Sequence, residues 1–358
     1  MQSLHMPLNC TLNAVIIAKN ESSSIGKCIE SVISSVDRVV VYDTGSTDNT
    51  VNIAIAAGAA VLQGSWQDDF SLARNAALAY ADADWNLIID SDEWLISGGD
   101  NLRTLISGDA FLGVVSVRSD YEVADAQSVA NSWITRLLPR GVLYQGRIHE
   151  QPQSNLPRVR VPLVFGHDGY TKIKQEKKAG RNRKLLELEL DKLPEDAYLR
   201  YQIGKDCEVA DDYSAACLHY KMSLGLTSKN ATYYHDLLVR LLHCLSRLQL
   251  FEQGIQLVNE AMPDFSDSPD FFFVYGNLLL DCAVSRPQEA FEKWLPLAEL
   301  AWRRCIEIGE RPNLEGNVIG RGSYLAAHNL AVIFRGRGNL EKANQYDILA
   351  KKLQNAAL

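Results

Sequence analysis

Over roughly the first 165 residues, short β-rich apolar runs alternate with helical stretches, and from about residue 180 that alternation gives way to helical periodicity alone. A change of period of this kind restricts the chain to an α/β domain followed by an all-α one. Its 358 residues agree with two domains. "LNAVIIAK" (12–19) is a continuous apolar strand, and "SIGKCIESVISSV" (24–36) carries apolar residues at 25, 28, 29, 32, 33 and 36, which is helical spacing. "RVVVYDTG" (38–45) is the second strand. The helix in "STDNTVNIAIAAGA" follows, with Ser46 or Thr47 and Asp48 as N-cap candidates and Gly58 as its stop. "AVLQGSW" (60–66) is the third strand, "FSLARNAALAYA" the third helix and "WNLIID" the fourth strand. Strands joined by single helices imply right-handed crossovers and a parallel sheet. Ligands of such sheets bind beyond the carboxyl ends of the strands. Those ends are Lys19-Asn20-Glu21, Asp43-Thr44-Gly45 and Asp90-Ser91-Asp92, so the polar clusters are expected on one rim.

In the second half, residues spaced like a tetratricopeptide (TPR) unit recur. Ile203-Gly204, Cys207, Ala216 and Tyr220 form one set, and Leu330-Ala331, Phe334, Ala343 and Ala350 another. Leu241, Leu245, Gly254, Val258 and Ala261 give a weaker unit, and 270–308 a further one with an insertion. Three or four helical hairpins are expected, with a break at "KLPEDAY" (192–198); a generic helical bundle is the alternative. The expected domains are 1–175 and 176–358.

The chemistry concentrates in "NLIIDSDEWL" (86–95), where an apolar strand runs into Asp90, Asp92 and Glu93. A lone Asp-x-Asp is usually a solvated turn, but this one ends a buried strand on the rim that also holds Glu21 and Asp43. Carboxylates crowded there are neutralised naturally by a hard divalent cation, Mg²⁺ or Mn²⁺, which keeps positions open for phosphate oxygens. A metal-diphosphate site is the reading these residues favour. Simpler roles stand beside it. Glu21 suits a helix cap, Asp43 a turn, and Arg74 a surface pair with Asp68 or Asp69. His167 suits a loop before Asp168 and Gly169. Trp85 and Trp94 suit packing, and Trp66 or Trp133 a stacking platform. Glu93 has no readable role.

"AVIIAKNESSSIGKCIESV", "VVVYDTGSTDNT", "FSLARNAAL" and "LIIDSDEWL" together resemble the N-terminal motifs of family-2 glycosyltransferases of the GT-A fold. "LYQGRIHEQP" and "FGHDGY", followed by helical repeats, resemble a bacterial subgroup that joins this domain to TPR-like helices and includes peptide S-glycosyltransferases acting on bacteriocins. The resemblance covers essentially the whole chain. It implies an inverting transfer from a nucleotide-diphospho-sugar, a UDP-sugar above all, assisted by Mn²⁺ or Mg²⁺. Ile17, Ala18 and Glu21 would line the nucleotide pocket, Asp43 would accept from base or ribose, and Arg74 would lie beside base and diphosphate. Asp90, with Ser91, would face the ribose or sugar, Asp92 would bind the metal directly, and His167 would complete the metal shell. Many family-2 members place an acidic pair well after this motif as general base; here there is none. Glu150 in "GRIHEQ" fits best, with His149 as the other candidate or as its orienting neighbour.

A protein or peptide acceptor engaged by the helical repeats is expected, with a polysaccharide or lipid-linked glycan as the rival. A catalytically silent nucleotide-sugar-binding scaffold is the reading from another class, and the crowded carboxylates count against it. A nucleotidyltransferase would want a Gly-rich basic loop that "AKNESSSIG" does not supply. The net charge of −8 argues against non-specific nucleic-acid binding. No apolar run approaches the roughly 20 residues of a membrane span, and the first dozen residues lack a signal-peptide pattern. The basic stretch Lys172 to Lys184 is too short to suggest membrane binding. Seven scattered cysteines without a CxxC pair fit small core residues in a reducing compartment, so a cytoplasmic protein is expected, with the helical repeats offering a surface for a homodimer.

Overall fold

The computed structural model describes residues 10–123, 126–167 and 182–357. The chain falls into two compact units, Met1–Tyr121 with Ser132–Asp191, and Glu122–Asn131 with Lys192–Leu358.

The first unit is built on an eight-stranded sheet whose strands lie side by side in the order Ala60–Gln63, Arg38–Asp43, Leu12–Ala18, Trp85–Asp90, Ala126–Pro139, Leu112–Val123, Arg158–His167 and Glu93–Ser97. Its first half is β1 (Leu12–Ala18), β2 (Arg38–Asp43), β3 (Ala60–Gln63) and β4 (Trp85–Asp90), all parallel. Helices α1 (Ile25–Val32), α2 (Thr50–Ala56) and α3 (Phe70–Ala81) connect them. These strands read as continuous apolar runs because both faces are covered. Leu12, Ala14 and Ile16 of β1 and Trp85, Leu87 and Ile89 of β4 pack with α1, while Val15 and Ile88 pack on the opposite face with Ala77, Leu78 and Ala81 of α3. The seven cysteines are buried and form no disulfide among the described residues, and Trp85 is core.

Two local expectations need correction. The first helix stops at Val32 instead of reaching residue 36, leaving Ile33 39% exposed, because Asp37 is held back by the Leu12 N–H at 2.7 Å. The second helix begins at Thr50, where Asp48 accepts from the Thr50 N–H. Ser46 and Thr47 instead bind Asn20, tying the ends of β1 and β2 together.

The second half of the sheet comprises β5 (Glu93–Ser97), β6 (Leu112–Val123), β7 (Ala126–Pro139) and β10 (Arg158–His167). Here β7 runs antiparallel to β4, β10 parallel to β6, and β5 antiparallel to β10. In the β10–β5 ladder His167 stands opposite Glu93 and Gly166 opposite Trp94, with a register shift between Val164 and Phe165. A short ribbon of β8 (Leu143–Gln145) and β9 (Gln151–Gln153) flanks the sheet.

The second unit is an array of TPR-like hairpins: Ala197–Val209 with Tyr213–Leu226, Tyr234–Arg247 with Phe251–Ala261, Pro269–Ser285 with Leu295–Ile308, and Tyr324–Gly336 with Leu340–Ala357. The small residues of the repeat are where helices approach most closely. A Cβ on Gly204 would fall 2.4 Å from the Tyr220 ring, and one on Gly254 would fall 2.3 Å from Leu278. The insertion in the third hairpin is a turn, Pro287–Glu289, followed by a π-helical segment, Ala290–Trp294. Residues 309–323 then pack across the first helices of the second and third hairpins, through Glu315 on His235 and Asn317 on Asp270. Among the described residues no helix is long and apolar enough to cross a membrane.

Candidate active site

The parallel registers align the strand ends. Ala18 lies opposite Asp43, and Ile17 opposite Asp90. The sheet therefore brings Ile17, Ala18, Asp43 and Asp90 to one edge, as the spacing of strands and helices predicts. Asp43 uses one carboxylate oxygen to hold the following turn, accepting from the Gly45 N–H (3.0 Å) and the Ser46 N–H (2.9 Å). Its other oxygen, Oδ2, is buried without a protein partner, and Asp43 as a whole is 2% exposed. Glu21 accepts from the Ser24 hydroxyl at 3.0 Å and donates its own N–H to the Thr50 hydroxyl oxygen at 2.8 Å, a cap-like role at the start of α1.

Behind this edge lies a line of alternating charges. Asp90 Oδ1 receives Arg74 Nη2 at 2.6 Å, and Asp90 Oδ2 receives Arg136 Nη2 at 2.5 Å. Arg136 also reaches Glu93 at 2.7 Å, while Arg74 Nε donates to Glu150. Arg74 belongs to α3, whose N-cap is Asp69, so Asp69 is committed to the Leu72 N–H. Asp68 is turned the other way, accepting from Trp66 and Arg147. Arg74 is thus not the surface partner of Asp68 or Asp69. Tyr144 lies under its guanidinium, 5.4 Å from the ring centre, and is fixed by Asn75, which bonds both the N–H and the C=O of Tyr144. Arg74 Nη1, Arg136 Nε and the Tyr144 hydroxyl are buried and lack protein partners.

These charges set one another's ionisation. Burial pushes the Asp90 carboxyl up, but Arg136 and then Arg74 outweigh it and hold it well below the usual carboxylate range. Glu93 goes the other way, raised by burial and by Asp90 despite Arg136. Burial also pushes the Tyr144 phenol up to about 12. Arg136 and Glu93 escape a reading of the sequence, although a single arginine inside the apolar run "WITRLLP" is the signal that marks it.

Asp92, 6% exposed, and His167 meet across the β5 end of the sheet, with Oδ2 and Nε2 3.5 Å apart. Burial lowers the His167 imidazole, but Asp92, Glu93 and Asp90 more than offset it, and its pKa is raised. Among the described residues no group of three or more His, Cys, Asp or Glu side chains is arranged to hold a metal. One carboxylate and one imidazole fit a cation whose remaining positions come from phosphate oxygens and water, and do not fit an all-protein cage. Ser91 is buried in the same turn. Asp168, Gly169 and Tyr170 of "FGHDGY", and Lys172 to Arg181, lie outside the described residues.

Glu150 and His149 diverge. Glu150 is drawn into the charge line by Arg74, with its side chain 9% exposed. His149 adopts a left-handed backbone (φ 51°) and is exposed. Trp94 packs under the Lys27 ammonium, Trp66 edge-on to Phe70, and Trp133 under Arg160.

Residues 14–100 match the family model described as glycosyl transferase family 2. A TPR repeat-containing protein of Synechococcus elongatus is 34% identical over 242 residues, covering 63% of this chain and 59% of that protein. The SPbeta prophage-derived glycosyltransferase SunS of Bacillus subtilis is 28% identical over 249 residues, covering 67% and 59%. The chain thus spans about three fifths of the length of each relative. A solved structure of glucosyl-3-phosphoglycerate synthase from Mycobacterium tuberculosis, in complex with Mn²⁺, UDP and glucosyl-3-phosphoglycerate, matches at 28% identity. That match covers 31% of this chain and 44% of the other, with a TM-score of 0.26.

Proposed function

We propose that this chain, which carries a family-2 glycosyltransferase domain joined to TPR-like hairpins, transfers a sugar from a nucleotide-diphospho-sugar, a UDP-sugar above all, to a protein or peptide acceptor with inversion. The observation that carries the donor half of this reading is the set of buried polar atoms without protein partners at the strand-end rim. Buried polar groups are nearly always satisfied, so orphans clustered in one place point to a ligand that completes them. Asp43 Oδ2 is an acceptor suited to a ribose hydroxyl or a base N–H, and Arg74 Nη1 is a donor suited to a phosphate oxygen.

Asp92 and His167 would hold the divalent cation, Mn²⁺ being favoured over Mg²⁺ by the imidazole. When bound, that cation supplies charge stabilisation to the departing diphosphate. Asp90 keeps its negative charge toward the sugar. Glu150, oriented by Arg74, is the general base that removes the acceptor proton as the anomeric carbon is attacked, with His149 as its alternative. The helical hairpins present the acceptor. The bounds of the two functional domains are 1–175 and 176–358.

The test is release of UDP from a panel of UDP-sugars, followed by mass spectrometry of a host lysate incubated with the productive donor. Mn²⁺ should support turnover, and Asp92→Ala should lower it about 100-fold. Absence of both UDP binding and turnover with metal present refutes the enzyme reading. Glu150→Gln should abolish transfer and leave UDP affinity nearly intact; retained transfer moves the base to His149 or elsewhere.

A further inference from the structure

Arginine and carboxylate side chains prefer a two-armed grip, in which both carboxylate oxygens face two guanidinium nitrogens. Asp90 does not grip Arg74 that way. It gives Arg74 only Oδ1, because Arg136, reaching in from β7, holds Oδ2. Arg74 therefore reaches Asp90 through Nη2 and Glu150 through Nε, and its third nitrogen, Nη1, is left buried and unmatched by the protein.

Arg136 is itself held in place. Its Nη2 also meets Glu93 Oε1 at 2.7 Å, and Glu93 Oε2 accepts from the Asp90 N–H at 3.0 Å. A ring closes through Asp90, Glu93 and Arg136, and the turn inside it carries Ser91 and Asp92. Arg136 is 5% exposed and Glu93 3%. Burying charges so deeply is a poor way to gain stability, since neutral side chains of similar volume usually serve a fold as well or better. The arrangement makes sense if it sets geometry.

We infer that Arg136, backed by Glu93, is a positioning residue of the donor site: by holding Asp90 Oδ2 it denies Asp90 the two-armed grip on Arg74 and keeps Arg74 Nη1 available to the donor diphosphate. The same ring fixes the turn that carries Asp92. Without Arg136, Asp90 rotates onto both terminal nitrogens of Arg74 and competes with the ligand. This inference rests on the proposed function, since it assigns a partner to Arg74 within that site.

The test uses the full chain with UDP and MnCl₂ in calorimetry. The double variant Arg136→Met/Glu93→Gln removes the charge pair together, so no buried charge is stranded between the two positions. Its melting temperature should stay near that of the wild type, while Kd for UDP rises about tenfold or more, the worth of one charged hydrogen bond. Arg136→Lys, which can still hold Asp90 Oδ2, should recover most of the affinity. A double variant that folds and binds UDP as the wild type does overturns the inference.

A measurement on the unaltered protein guards against a variant that does not fold. On titration with UDP and Mg²⁺, the guanidinium ¹⁵N resonances of Arg74 should shift and those of Arg136 should stay in place. Arg74 resonances that do not move, or Arg136 resonances that move as far, overturn the inference equally. If the wild type binds no UDP with either metal, the proposed function itself fails and takes this inference with it. If it binds but the variant is indifferent, only the positioning role fails.

Discussion

Each unit of the molecule contains a buried network of charges, and the two are finished differently. In the helical unit, Asp270 is fully buried and both its oxygens are used, by Asn317, the Val318 N–H and Arg321. Asp236 takes the Tyr201 hydroxyl and Arg240, and Arg240 continues to Glu208, which also receives the Tyr220 hydroxyl. Among Asp236, Asp270, Arg240, Glu208, Tyr201, Tyr220 and Asn317, one buried polar atom is left unmatched, the amide oxygen of Asn317, and every charged group and hydroxyl has its partner. At the rim of the sheet, Asp43, Arg74, Arg136 and Tyr144 each leave one. A closed network fastens helices to one another. An open one costs stability wherever an orphan is left and repays it only when something binds.

The comparison breaks most visibly at Asp270. Asp270→Ala strands Arg321, Asn317 and the Val318 N–H together, and should destabilise the protein by about 3 kcal/mol or more in urea titration. A loss below about 1 kcal/mol would mean that the closed network fastens nothing.

Asp43→Asn should do the reverse. The amide oxygen can keep the bonds to the Gly45 and Ser46 N–H groups, while the outer acceptor becomes a donor. Kd for UDP should rise about tenfold with little change in melting temperature. A large stability loss with unchanged UDP affinity would make Asp43 a turn residue only.

Acid sharpens the contrast within the helical unit. Burial raises the Asp236 carboxyl, but Arg240, Lys205 and the Tyr201 hydroxyl outweigh it and hold it below its ordinary value. A depressed carboxyl contributes stability that is complete above its unfolded value and is lost as pH falls through the folded one. The urea midpoint should therefore lose an Asp236 contribution below about pH 4, and Asp236→Asn should flatten that acid limb. An identical acid limb in both proteins would place the pH sensitivity elsewhere.

The smallest effect is expected from the exposed pair Arg335–Asp347 at 2.5 Å, with side chains 51% and 35% exposed. Arg335→Ala should cost under about 1 kcal/mol, since solvent screens such pairs. A larger loss would show that closure matters even at the surface.

What could be read from the sequence divides along a physical line. Strands β2 and β4 and helix α3 are nearly complete in their apolar runs, because that signal is local: Trp85 to Ile89 need both faces buried. The TPR-like spacing is legible for the same reason, since Gly204 and Gly254 mark close helix approaches within or between neighbouring hairpins. The second half of the sheet is not. The β6 sequence "LGVVSVRSDYEV" mixes polar and apolar residues, and its place between β7 and β10 is decided by partners far along the chain. The partners of Arg74 fail in the same way. Asp90 and Glu150 are 16 and 76 residues distant, whereas Asp68 and Asp69 are near in sequence and committed elsewhere. Glu93 is opaque until Arg136 is placed beside it.

One feature of the sheet reaches beyond its local geometry. His167 meets Asp92 because a single antiparallel ladder sets it opposite Glu93, and that ladder changes phase once, between Val164 and Phe165. Strand side chains alternate faces, so the encounter depends on parity. Gain or loss of one residue between the phase change and His167 turns the imidazole to the far side of the sheet, whereas a change of two keeps its face. Length variation that a surface loop absorbs would here erase half of the proposed cation-binding pair without altering a single ligand type.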